Sequence, residues 1–132
     1  MTDREQIRAA IDEWAAATRD GRKDDVLRHH AADARIFDVL PPLQYEDAAA
    51  YRARFDEWWP ETTDGGGKLD VADLTIVAGE DVAFAHGLVR CGGTAPDGST
   101  FSDTVRLTHG LRKLGGRWQI VHSHTSLPVG GA

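Results

Sequence analysis

Close to its C-terminal end the chain reads His122-Ser123-His124-Thr125-Ser126. In a regular strand the two histidines share one face. An imidazole has an ordinary pKa of about 6.5, so it can accept or give up a proton near neutrality. Asp38 stands inside Ile36-Phe37-Asp38-Val39-Leu40, an otherwise apolar run. A carboxylate there needs a charged or hydrogen-bonding partner. In an apolar pocket its proton affinity rises, which suits a general acid or base. Arg106 shares a strand face with Thr104 and Thr108, and a guanidinium can clamp a carboxylate or enolate oxygen through two hydrogen bonds. His124 or Asp38 as base, with Arg106 or His122 holding a developing oxyanion, would form a proton-transfer site. Each residue also has a structural reading. One histidine bonds the backbone while the other meets solvent, and Asp38 and Arg106 form an ion pair.

A binding wall for such a site would draw on Trp14, Phe37, Tyr51, Phe55 and Trp58. Polar contacts would come from His86, Thr108 and Ser126. The aromatic residues are equally able to serve as core. His86 lies between Ala85 and Gly87, small neighbours that make room for a ligand or for a close sheet-to-sheet contact. His122-x-His124 is half of a metal-site pattern that His86 or Asp38 could complete, but the spacing is weak evidence. The expectation is a site with neither metal nor cofactor. No P-loop, dinucleotide glycine fingerprint or Gly-x-Ser-x-Gly elbow is present. Cys91 reads as a packed thiol, and His29, His30 and His109 as surface or helix-end residues.

The elements that must position these groups divide the chain in two. Thr2-x-x-Glu5 is a capping box. Ile7, Ala10, Ile11, Trp14 and Ala15 then follow a helical apolar stripe that Asp20-Gly21 ends. A short second helix is expected over residues 24–31 and a short strand over residues 34–40, stopped by Pro41-Pro42. A third helix starts near Glu46 or Asp47, carries Ala48, Tyr51, Phe55, Trp58 and Trp59, and ends at Pro60. Residues 62–67 are a loop by composition. From residue 68 the apolar period becomes two, giving strands over 68–78, 82–93, 99–114 and 117–127. Turns fall at 79–81, 95–98 and 115–116, an antiparallel meander. The reading is one α+β domain over residues 1–132.

The net charge is −6 and the basic residues are scattered. That argues against a nucleic-acid partner and against an anionic membrane surface. A single cysteine forms no internal disulfide. The polar N-terminus lacks a signal-peptide pattern and no run is long and apolar enough to span a bilayer, so the simplest location is the cytoplasm.

Several segments, taken in order, resemble a known family: Asp33-Ala34-Arg35-Ile36-Phe37-Asp38-Val39-Leu40-Pro41-Pro42, Tyr51-Arg52-Ala53-Arg54-Phe55, Asp81-Val82-Ala83-Phe84-Ala85-His86-Gly87, Val105-Arg106-Leu107-Thr108, and Gly116-Arg117-Trp118 followed by His122-x-His124-x-Ser126-x-Pro128. The pattern resembles the SnoaL-like, ketosteroid-isomerase-like branch of the nuclear transport factor 2-like superfamily. The resemblance implies a cone-shaped α+β barrel, helices closing a cavity on a strongly curved antiparallel sheet, and a homodimer. It also implies a small apolar ligand or substrate, because the superfamily holds isomerases, polyketide cyclases, dehydratases and hydrolases beside members that only bind or dimerise. Tyr45, Thr104 and Ser123 depart from residue types common in relatives. The catalytic residues of ketosteroid isomerase have no motif counterpart here, so that activity is not carried over.

Overall fold

The computed structural model describes residues 1–57, 59, 68–94 and 97–130. Trp58, Pro60, the loop read over 62–67 and the first half of the turn at 95–98 lie outside the described residues. Helix α1 spans Asp3–Arg19 and begins with the expected capping box: Glu5 N–H donates to the Thr2 hydroxyl at 3.1 Å, and the Thr2 N–H faces the Glu5 carboxylate at 3.4 Å. Its last turn closes on Asp20, and Gly21 takes a φ of 72° that a side chain would resist. The stripe read from the sequence is the buried one. Ile7 and Ile11 are fully enclosed, and each contributes about 1.5–3 kcal/mol through its removal from water.

No second helix covers residues 24–31. Isolated turns run there instead, with Asp25 N–H donating to Arg22 O and Arg28 N–H to Asp25 O. Arg22 and Arg28 both close on the Asp25 carboxylate, at 2.9 and 2.6 Å. The Ile120 N–H donates to His29 O at 2.8 Å, which draws the chain into the sheet before a helix can propagate. Strand β1 is therefore longer at its start than expected, spanning His30–Phe37. Helix α2, Ala48–Glu57, starts where Asp47 Oδ1 accepts the Ala50 N–H at 2.7 Å.

Strands β2 (Lys68–Ala78), β3 (Val82–Thr94), β4 (Thr100–Leu114) and β5 (Arg117–Ser126) form the expected antiparallel meander. The sheet order is β1-β5-β4-β3-β2, with β1 parallel to β5. The sheet is therefore mixed, not wholly antiparallel. Parallel neighbours need a long crossover, and the chain from α2 to β4 provides it. Turn signals report only local pairing and carry no trace of this one. The result is an α+β fold in which two helices pack on one face of a curved five-stranded sheet.

Two bulges set which side chains face the helices. In β2, Ala72 pairs with Leu88 and Thr75 with His86, which leaves one extra residue, and Asp73 there adopts a φ of 53°. Gly87 lies opposite. A Cβ at Gly87 would stand 2.9 Å from Ala72 O, so its smallness serves this bulge. In β5, Gly110 pairs with His122 and Leu111 with Ile120, which leaves Val121 as the extra residue. Before it Trp118 and Ile120 face the core. After it Ser123 is the buried residue and His124 is exposed.

The core beneath α1 joins Ile7 and Ile11 to Ile76, Ala83, Ala85, Leu111, Trp118 and Ile120. Further along, Ala15 meets Leu69, Val89, Val105 and Leu107. His109, expected at the surface, is 0% exposed between these two groups. Its ring meets Trp14 edge-on at 5.5 Å and His30 at 6.2 Å. Neither of its nitrogens, nor His30 Nδ1, has a hydrogen-bond partner among the described residues. Burial pushes His109 down to about 3 and His30 down to about 4, and each ring's neighbouring imidazole adds to the effect.

These depressed values fix a pH dependence. Below about 6.5 the unfolded chain takes up two protons that the folded chain refuses until pH falls towards 4 and 3. Stability therefore declines on acidification from about pH 6.5, with a limiting slope near 1.4 kcal/mol per pH unit for each histidine. Carboxylates held low by partners, such as Asp3 and Glu13, lose their contribution only at more acidic pH. Urea unfolding at pH 7 and pH 5 should show this loss, and H109L should shrink it. Equal stability at both pH values would refute the account.

Candidate functional site

α1, α2 and the inner face of the sheet enclose a cavity of about 460 Å³. Its wall is mainly apolar. Trp14 comes from α1 and packs with Leu69, Val89 and Val105 of the sheet, and Tyr45, Tyr51, Phe55 and Trp59 form an aromatic side. Those four rings run in sequence, with centroids 4.9, 4.9 and 5.0 Å apart. The i, i+4 spacing of Tyr51 and Phe55 on α2 places both on one face. Tyr45 joins them because its backbone bridges back to Ile36, exchanging N–H···O bonds of 3.0 and 2.8 Å.

That bridge also places Asp38. The residue lies just past the end of β1, where the chain turns away before returning at Tyr45. Its Oδ1 accepts the Val39 N–H at 2.7 Å and the Thr125 hydroxyl at 3.0 Å, and its Oδ2 accepts the Tyr51 hydroxyl at 3.0 Å. All three partners donate, as an ionised carboxylate requires. Burial pushes the Tyr51 phenol well above its usual range, and the Asp38 charge adds to this. Tyr51 thus remains a donor throughout the physiological range. Burial likewise raises the Tyr45 phenol.

Across the cavity, Cys91 and Asp103 are cross-strand partners on β3 and β4. Burial raises the Cys91 thiol, and the Asp103 and Asp38 charges raise it further. The thiol is therefore neutral near pH 7, which argues against a thiolate nucleophile. Arg19 and Arg54 also reach the wall, each with a partner. Arg19 Nη1 donates to Leu69 O at 3.1 Å and approaches Asp70 at 3.9 Å, and Arg54 Nη1 meets Glu57 at 3.4 Å.

The structure brings four of the sequence-read residues to this cavity: Asp38, Trp14, Tyr51 and Phe55. Trp58 lies outside the described residues. His122, His124, Arg106, His86, Thr108, Ser126 and Phe37 do not line it. The first six lie on the opposite, outer face of the sheet, where His86, Thr108 and His124 are in register across three strands. Arg106 Nε donates there to Ser126 Oγ at 3.1 Å and makes no ion pair with Asp38. His122 Nδ1 contacts Arg35 O at 2.8 Å, and Phe37 packs edge-on against both His122 and His124. The expectation that the histidines share a pocket with Asp38 is thus corrected. Strand alternation placed them with Trp118 and Ile120, but the Val121 bulge reverses that relation. Ser123 and Thr125 take the inward places instead. Asp103, Cys91 and Tyr45 were also missed as wall residues, and only the period-two alternation with buried Val105 and Val89 hinted at the first two. Among the described residues no group of three or more metal-ligating side chains converges.

A family model described as a SnoaL-like domain matches residues 7–130. The chain belongs to the SnoaL-like family. A protein of unknown function from Pseudomonas putida KT2440, described as NTF2-like, is 32% identical with a TM-score of 0.79, over 97% of this chain and 89% of that one. An NTF2-like superfamily protein from Salmonella enterica is 18% identical with a TM-score of 0.78, over 94% and 89%. The association domain of C. elegans CaMKII is 16% identical with a TM-score of 0.69, over 93% and 94%. The last two share the fold alone. No curated protein matches the chain. Among the described residues this SnoaL-like domain has no helix long and apolar enough to cross a membrane.

If Tyr51 and Thr125 hold the Asp38 carboxylate, the three side chains are energetically coupled. Double-mutant cycles pairing D38N with Y51F and with T125V should give interaction energies of about 0.5–3 kcal/mol in urea unfolding. A value near zero in both cycles would show that the hydrogen bonds do not hold Asp38.

Proposed function

We propose that this SnoaL-like domain takes a small, largely apolar carbonyl compound into the cavity and that Asp38 moves a proton on it, in isomerase, cyclase or dehydratase chemistry. The observation that carries this reading is a carboxylate fixed by three donors at the wall of a mainly apolar, partly aromatic cavity. Tyr51 and Thr125 orient Asp38, Trp14 and Phe55 pack against the apolar body of the compound, and the high phenol of Tyr51 keeps its proton on the Asp38 side. The chemistry draws on side chains of this chain and needs no added cofactor. The position of the histidines outside the cavity favours a second reading, a non-catalytic holder of the same kind of compound.

Exchange of deuterium from solvent into the acidic C–H of a panel of cyclic ketones and enones, followed by NMR, separates these readings. Catalysed exchange should fall about 10²–10⁴-fold in D38N and stay within about threefold of wild type in H124A. Binding without exchange would support the holder, and undiminished exchange in D38N would remove Asp38 from the reaction.

We further propose that the outer sheet face pairs two copies of the chain. Val82, Phe84 and Leu88 are 58%, 46% and 38% exposed there, side by side on β3, with Val77 of β2 opposite Phe84. A solvated sheet face would normally be polar at these places. A two-fold axis through the face would cover them with a second copy of the same patch. The occurrence of this fold in an association domain supports the reading. Light scattering should give twice the monomer mass for wild type and the monomer mass for L88D; a monomeric wild type would refute it.

A further inference from the structure

The two carboxylates of the cavity wall have no cation paired with them among the described residues. Asp38 and Asp103 both contribute to this wall, and neither forms a salt bridge among the described residues. The donors to Asp38 are a backbone N–H and two hydroxyls, all neutral. They fill three of its roughly four acceptor positions and leave about one for an occupant. The Asp103 side chain is exposed and accepts no hydrogen bond from a described residue. The two guanidiniums at the wall pair with other groups: Arg19 donates to Leu69 O and approaches Asp70 at 3.9 Å, and Arg54 meets Glu57 at 3.4 Å and the Tyr45 phenol. Both carboxylates act on the Cys91 thiol between the strands, so their fields overlap inside the cavity.

The aromatic side points to the same sign of charge. The face of an aromatic ring attracts cations. Two rings of the Tyr45–Tyr51–Phe55–Trp59 series already hold cations that are not part of the cavity wall: Lys23 Nζ lies 5.6 Å from the Trp59 centroid, and the Arg52 guanidinium 5.8 Å from that of Phe55. An anionic occupant would meet two carboxylates and the negative faces of these rings. A neutral apolar occupant would strip water from Asp38 and return nothing for it. A positive nitrogen on an apolar body answers both the carboxylates and the rings.

We propose that the occupant is an organic cation: a small, largely apolar molecule bearing a protonated or quaternary nitrogen that sits between the carboxylates of Asp38 and Asp103 and the aromatic side of the cavity. This rests on the reading of the cavity as a small-molecule site and adds a basic nitrogen to the compound it accepts. In that role Asp103, at the open side, selects for charge, and Asp38 serves both the nitrogen and the adjacent acidic C–H.

The test titrates wild type, D38N, D103N and the double variant with four probes of similar size: phenethylammonium, benzyltrimethylammonium, 2-phenylethanol and 3-phenylpropionate. Amide shifts at Thr125 and Leu127 report occupation of the cavity. Wild type should bind both cations at least about tenfold more tightly than the alcohol and should bind the carboxylate weakest. Each single substitution should narrow this preference, and the double substitution should remove it. D103N changes an exposed side chain that has no partner among the described residues, so it remains a folded test if D38N is destabilised. If the alcohol binds in the cavity as tightly as the cations, or the preference survives in D103N and in the double variant alike, the cation proposal is overturned while the cavity remains a ligand site. If none of the probes shifts Thr125 or Leu127, both the cation proposal and the small-molecule reading on which it rests are overturned.

Discussion

One extra residue in β5 governs which side chains this molecule turns towards its cavity. Side chains alternate strictly along a strand, so a single inserted residue exchanges the two faces for everything that follows it. Val121 is that residue. Upstream, Trp118 and Ile120 anchor β5 in the core beneath α1. Downstream, Ser123 and Thr125 turn inward, and Thr125 reaches Asp38. Without the bulge, His122 and His124 would point into the cavity and Thr125 away from it. The donor set around Asp38, and with it the polar chemistry of the cavity, depends on this local irregularity.

The rest of the architecture holds that arrangement in place. The parallel pairing of β1 with β5 sets Phe37 beside His124, and therefore Asp38 beside Thr125. The bridge between Ile36 and Tyr45 returns the chain so that α2 can lay Tyr51 against the same carboxylate. Three segments distant in sequence thus supply one hydrogen-bonded group. The ring series from Tyr45 to Trp59 closes the side that the sheet leaves open. The buried His109 carries the cost of a crowded interior, since neither of its nitrogens has a hydrogen-bond partner among the described residues. Such a group is tolerated in the neutral state and resisted in the charged one.

The two faces of the sheet divide the work. The inner face carries apolar packing and the cavity. The outer face carries the histidine pair, Arg106 and a band of exposed apolar residues on β3. Residues that the sequence suggests as one constellation are therefore separated by the thickness of the sheet. Arg106 and Ser126 pair with one another on the outside, and Asp38 finds neutral donors on the inside. This separation is why the Asp38 carboxylate meets neutral donors and not the Arg106 guanidinium, a property that follows from placement and not from composition.

Legible in the residues alone are the α+β class, the first helix with its capping box and buried stripe, the start of α2 near Glu46 or Asp47, the four-strand meander, and Asp38 as an unusual carboxylate in an apolar run. These features rest on local chemistry: periodicity, caps and turn residues act over a few positions and are written in the order of the residues. The parallel place of β1, the loss of a helix over 24–31, the burial of His109 and the inward set Ser123, Thr125, Asp103 and Cys91 emerge with the fold. Those outcomes depend on pairing between distant segments and on bulges that partner strands impose. A strand's own alternation says which residues share a face, but not where that alternation slips or which face meets the helices.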